Sequence, residues 1–195
     1  SNACRFINFK FQISLKSVIV SLPKNNCMSL LAIDLGGTKL AIAVFTDDGS
    51  IINEDTLPLN NRKGAEVGEL ITTQVTKLLH EQKLAGNDVF SIGVSVPGIS
   101  YRETGIVWAP NISGWNEYPL LKEIQQHADN IPVAIESDRS CYILGESWKG
   151  AARGCKDAIF VAVGTGIGAG IMVNGTILRG THGTAGSIGW MSLDK

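Results

Sequence analysis

The chain has 195 residues, 44% of them hydrophobic and 18% charged, the composition of a soluble globular protein that forms one large domain or one domain and part of another. Net charge is −1 and no run of Lys and Arg occurs, so there is no electrostatic case for nucleic acid or an acidic membrane, and a small ligand is favoured. No apolar run approaches a membrane span, and Cys4, Cys27, Cys141 and Cys155 are scattered without a C-x-x-C pair, which suits reduced, mostly buried thiols in a cytoplasmic protein.

Ser1-Asn2-Ala3 reads as a cloning remnant. Residues 4–28 read as an N-terminal extension in which Phe9, Phe11, Ile13 and Leu15 alternate as in a strand. Leu30 to Ile33 is an unbroken apolar run and Leu40 to Phe45 a second one, so the two form a hairpin that turns at Gly36-Gly37. Adjacent glycines permit positive φ and bring the amides of Gly36, Gly37 and Thr38 to an anion. Asp34 beside that turn suits a metal-bound water, and Lys39 a phosphate oxygen. The alternative is an ordinary hairpin bend.

Asp47-Asp48-Gly49 leads into a third strand near Ser50 to Thr56. Val67, Leu70, Ile71, Val75, Leu78 and Leu79 follow helical spacing in a helix that ends near Gly86. Val89 to Val96 is a strand stopped by Pro97-Gly98, the next stretch is a loop punctuated by Pro110-Asn111 and Gly114-Trp115, and Pro119 opens a short helix through about Ala128. Pro132 to Ile135 is a strand, and Asp138 starts a helix with Cys141, Leu144, Gly145 and Trp148 on one face. Asp138 alone is a good helix N-cap.

Ile159 to Gly175 repeats the pattern of strand, glycine turn and strand, and two such turns facing each other hold a polyphosphate between backbone amides. The order βββαβαβα needs crossovers that make parallel neighbours, and ligands then gather outside the carboxyl ends of the strands, where Asp34, Gly98 and Asp138 lie. No Walker A pattern occurs, and the GxG at Gly164 to Gly166 follows a strand but opens a second strand, so neither the P-loop nor the Rossmann reading fits.

With these residues in hand the chain resembles the ROK family of sugar kinases and transcriptional repressors, over Leu30 to about Trp190. Asp34 to Lys39 resembles the family's first phosphate motif, and Val96-Pro97-Gly98 with Glu103-Thr104-Gly105 and Pro110 to Trp115 its sugar loop. Glu136 to Glu146 resembles its catalytic segment, Gly164 to Gly170 its second phosphate motif, and Gly183 to Trp190 its signature. The resemblance implies an α/β fold, an actin-like ATPase (ribonuclease H-like) domain with a mixed five-stranded sheet and helices on both faces, at residues 29–156. A second, truncated domain is expected to begin at 157–195.

The resemblance also implies ATP-dependent phosphorylation of a hexose or N-acetylhexosamine. Asp138 would be general base, Gly36, Gly37, Thr38, Lys39, Gly164, Thr165, Gly166 and Gly168 would meet ATP phosphates, and Asp34 would hold Mg2+ through water. Gly98, Asn111, Ser137, Asp138, Ser187 and Trp190 would face the sugar. The implied partners are that sugar and a second copy of the chain in a homo-oligomer, with no nucleic acid and no membrane.

Three departures stand out. Ser137 replaces the family's Asn, and Ser187 and Trp190 replace a sugar-binding Glu and a His that in many members binds zinc. Trp190 is expected as a large buried aromatic, with stacking on a sugar as the alternative. The chain ends before the family's cysteine-rich zinc loop, so no zinc is expected, with His182 a poor substitute ligand and a solvated loop residue. Two rival readings remain: a repressor, for which residues before Leu30 show no helix-turn-helix, and a non-catalytic sugar-binding protein. The chain by itself is expected to lack kinase activity.

Overall fold

The structure is a computed structural model that describes residues 28–164 and 166–191. The alternation from Phe9 to Leu15, Cys4, Cys27 and Thr165 lie outside the described residues.

Strands β1 (Met28–Leu35), β2 (Lys39–Thr46) and β3 (Ile51–Pro58) form an antiparallel meander. Helix α1 (Ala65–Leu84) then crosses over to β4 (Asp88–Val96), which lies parallel to β1. A short helix α2 (Leu120–Gln125) leads to β7 (Val133–Ser137), parallel to β4. The sheet order is β3-β2-β1-β4-β7, a mixed five-stranded sheet as expected. β3 is an edge strand whose Asn53, Glu54 and Asp55 discourage pairing with another chain.

The pleat assigns alternate residues of β1 to opposite layers. Leu31, Ile33 and Leu35 enter the main core with Val67, Ile71 and Val75 of α1 and Ile124 of α2. Leu30 and Ala32 join Ala41, Ala43 and Phe45 on the other face, where Trp148 covers them. Trp148 belongs to α3 (Asp138–Lys149), so helices do cover both faces.

Residues 99–118, expected as loop, hold a small hairpin of β5 (Ile99–Tyr101) and β6 (Ile106–Trp108). Gly98 makes its close approach possible: φ is +132° and a Cβ there would lie 2.1 Å from the Trp108 carbonyl oxygen. Trp115 stacks on Tyr118 at 4.2 Å between centroids and donates its indole N–H to Gly64 O at 2.9 Å, which fixes the loop against the start of α1.

β8 (Ala158–Val163), β9 (Ile167–Val173) and β10 (Thr176–Ile177) make a second antiparallel sheet, followed by a 3-10 turn at Ile188–Trp190. α3 packs on β4 and β7 on one side and on β8 and β9 on the other. This is why Ile143, outside the expected apolar face, is buried: it joins Ala152, Met172 and Ile177 in a separate cluster. Gly170 lets the strand close on the helix, since a Cβ there would meet Arg139 O at 2.1 Å. The far side of β8 is uncovered, with Ile159, Val161 and Val163 exposed.

Two burial expectations are corrected. Trp190 is 87% exposed rather than buried, because the 3-10 turn presents it outward and contributes no buried residue. Cys141 is buried but Cys155 is exposed, both with free thiols.

Candidate functional site

The parallel register of β1, β4 and β7 lines up Asp34, Ser95 and Glu136 at their carboxyl ends. Neighbouring residues in register point to the same face, and Ser95 Oγ donates to Asp34 Oδ1 at 2.9 Å. Cys141 of α3 belongs to the same environment, and burial, then the charges of Glu136 and Asp34, push its thiol pKa up.

Asp138 follows one residue beyond the end of β7, as the first residue of α3. It is not the N-cap. Ser137 holds that place in extended backbone conformation, and its Oγ accepts from Ser140 N at 3.4 Å and donates to Ser140 Oγ at 3.0 Å. The cap therefore occupies the Ser137 hydroxyl, and the Asp138 carboxylate, half-buried, accepts from Arg139 N through Oδ1 at 2.8 Å.

The first glycine turn is closed by Gly36 N donating to Lys39 O at 2.8 Å, with Gly37, Thr38 and Lys39 exposed. Neither Gly36 nor Gly37 adopts the positive φ expected of them. A Cβ on Gly37 would sit in van der Waals contact, 3.4 Å from Asn111 Cβ, so larger side chains there would fill the space between the two segments. The phosphate turn and the sugar loop thus touch. They line a cleft of about 400 Å³ with Arg62, Lys63 and Ser113, and this adjacent basic pair went unread in the sequence because two charges in a polar loop are too short a run to mark a site.

The second glycine turn divides. A Cβ at Gly164 or Gly166 would meet open space, so this tip of the β8–β9 hairpin is presented to solvent, tied by Gly164 N to Gly166 O at 2.9 Å. Gly168 instead lies against Arg139, whose Cδ would be 2.9 Å from a Cβ there. Packing on α3 is its role among the described residues.

Arg139 was not singled out from the sequence, yet it joins three motifs. Its Nη1 donates to Ser187 Oγ and its Nη2 to Gly98 O at 3.3 Å, while its aliphatic stem covers Gly168. Ser187 is thereby brought to Gly98 and the start of α3. Trp190 projects into solvent three residues on, and His182 is exposed as expected. A second unread pair, Glu136 and Arg179, ties β7 to the segment after β10. Charged pairs so far apart in sequence leave no periodic signal.

Among the described residues no three His, Cys, Asp or Glu side chains gather as a metal site. Asp34, one carboxylate beside an exposed turn, fits a Mg2+ that keeps most of its waters and binds mainly through phosphates, rather than a caged ion. No helix among the described residues is long and apolar enough to cross a membrane.

The fold is that of an actin-like ATPase domain. The ROK family model matches residues 30–195, and the chain belongs to the ROK family. A glucokinase of Halalkalibacterium halodurans is 34% identical over 168 residues, 84% of this chain and 49% of that protein. A ROK glucokinase from Streptomyces griseus, solved with glucose and AMPPNP, superposes with TM-score 0.72 at 28% identity, covering 85% of this chain and 51% of that one. A xylose repressor of Caldicellulosiruptor bescii is 31% identical over 85% of this chain and 42% of the repressor. The chain spans about half the length of the curated relatives it matches.

Proposed function

We propose that the full-length gene product is an ATP-dependent sugar kinase acting on a hexose or N-acetylhexosamine. The observation that carries this is the placement of Asp138 directly after β7, at the same sheet edge as Asp34 and beside the Gly98 and Ser187 segments that Arg139 draws together. A carboxylate there takes the proton of the attacking sugar hydroxyl. Asn111, with Gly98, Ser187 and Trp190, faces the sugar, and Ser137 serves it through the helix start that its cap fixes.

The amides of Gly36, Gly37 and Thr38, with Lys39, receive phosphate oxygens from one side, and the Gly164-Thr165-Gly166 sequence receives them from the other, with Gly164 and Gly166 facing open space. Gly168 supports that tip through Arg139. Mg2+ is held by Asp34 through water and supplies charge neutralisation at the phosphates when bound. The relative solved with an ATP analogue and glucose supports nucleotide and sugar as the two ligands. The cytoplasm is the compartment where both are at hand.

Sugar-dependent ADP release by the full-length gene product tests the proposal, and binding of sugar without any ADP release rejects it. A second reading, a non-catalytic sugar-binding regulator, is favoured by one observation: the Ser137 hydroxyl is spent on capping α3. The xylose repressor among the relatives supports the same alternative. The 195-residue chain tested alone is expected to show no turnover, because the uncovered strand β8 leaves the phosphate-facing tip unsupported on one side.

A further inference from the structure

The acceptor side of the cleft carries a positive charge that the proposed reaction on a neutral sugar does not use. Arg139 is half-buried, and its guanidinium donates to a hydroxyl, Ser187 Oγ, and to a carbonyl, Gly98 O. Neither partner carries charge. Among the described residues the ion pairs are Lys77–Glu81 and Arg179–Glu136, so Arg139 has no carboxylate partner of its own. The buried acid nearest in sequence, Glu136, is committed to Arg179 through both Nε and Nη2.

A guanidinium has five N–H donors and no acceptor. Two are used by the bonds above. Ser187 Oγ accepts from Arg139, which leaves its own proton to donate. Hydroxyl and guanidinium together thus offer donors in one place, at a half-buried position where a charge is screened less than at the surface. Neutral sugar hydroxyls satisfy donors but leave the charge uncompensated. A carboxylate satisfies both, in the planar two-bond geometry that arginine favours.

We propose that Arg139 is a specificity-determining residue, and that it selects an acceptor sugar bearing a carboxylate, a hexuronate or related sugar acid. This rests on the sugar kinase reading for the identity of the acceptor as a sugar. Consecutive residues of a helix point about 100° apart, so Asp138 and Arg139 address two different groups of one substrate. Asp138 faces the hydroxyl that reacts, and Arg139 holds the carboxylate, with Ser187 as its second donor. The attacking hydroxyl passes its proton to Asp138 as its oxygen bonds to the γ-phosphorus of ATP, and the bond from that phosphorus to ADP breaks. The sugar's carboxylate takes no part in that exchange.

The test is calorimetric titration of the full-length gene product at pH 7.5 and low salt with glucuronate, glucose and glucose 6-phosphate. Glucuronate is expected to bind at least tenfold more tightly than glucose. That preference is expected to vanish in Arg139→Gln, to persist in part in Arg139→Lys, and to shrink as salt rises. Equal or tighter binding of glucose overturns the inference, as does a preference that survives Arg139→Gln. Tighter binding of glucose 6-phosphate than of glucuronate overturns the choice of a carboxylate. The comparison on the unaltered protein decides the matter even if Arg139→Gln fails to fold. Glucuronate binding without ADP release supports this inference while rejecting the kinase reading, and glucose phosphorylation with no Arg139-dependent preference does the reverse.

Discussion

Arg179 closes on Glu136 with two donors on one oxygen, Nε at 2.8 Å and Nη2 at 2.6 Å from Oε2. Glu136 is 6% exposed, at the end of the five-stranded sheet, and its other oxygen accepts from Ser137 N at 3.2 Å. Removing one member of such a pair strands a buried charge, at a cost of about 3–5 kcal/mol. Arg179→Met is therefore expected to lower the unfolding free energy obtained from urea melts by an amount in that range. Adding Glu136→Gln to it is expected to recover most of the loss, and a single mutant as stable as the parent would show the pair to be dispensable.

Asp138→Asn removes the carboxylate while leaving the Ser137 cap in place. Phosphorylation by the full-length gene product is expected to fall by about 10² or more, the usual worth of a general base, with sugar affinity changing less. Near-normal turnover in steady-state assays would strip Asp138 of its proposed role.

A Cβ on Gly37 would just touch Asn111 Cβ, at 3.4 Å. A valine there adds branches in the cleft that both residues line, so Gly37→Val is expected to abolish ATP binding by the full-length gene product in calorimetry. Unchanged affinity would reduce the turn to a hairpin bend.

The turn between β2 and β3 titrates. The hydrogen bond from Thr46 Oγ1, then those from Ser50, hold the Asp48 carboxyl down at about 2, below its ordinary 3.8. A lowered carboxyl stabilises the fold above its unfolded pKa and ceases to do so as pH falls through the folded one. The stability difference between the parent and Asp48→Asn is thus expected to be flat from neutral pH to about 4 and to close as pH approaches 2. A difference independent of pH in urea melts over that window would contradict it.

The outer face of β8 bears Ile159, Val161 and Val163, the last 77% exposed. Uncovered apolar strands associate. The 195-residue chain is expected to self-associate in light scattering, and Val161→Lys to shift it toward monomer. A monomeric parent chain would count against this.

How far the sequence spoke depends on the kind of signal. The β1–β2 hairpin and α1 were legible because apolar residues recur at the periods of strand and helix. Asp34, Gly98 and Asp138 were legible as strand-end residues because glycine, proline and polar runs punctuate the strands. The β5–β6 hairpin was missed, although Ile99, Tyr101, Ile106 and Trp108 flank Thr104-Gly105 in alternation; its strands are only three residues long. Arg139–Ser187 and Glu136–Arg179 were invisible, since partners 48 and 43 residues apart meet only after the chain has folded. Trp190 misled because an aromatic residue's bulk suggests burial whatever turn carries it.

The meeting of Gly170 with the carbonyl of Arg139 seats β9 directly on the first turn of α3. From there to Gly166 the strand is about 13 Å long at about 3.3 Å per residue. Along that length Gly168 rests on the Arg139 stem and Ala169 N donates to Gly186 O at 2.7 Å, so the strand is braced almost to its tip. One helix turn thus carries both the residue proposed to take the proton and the strand that leads to the second glycine turn.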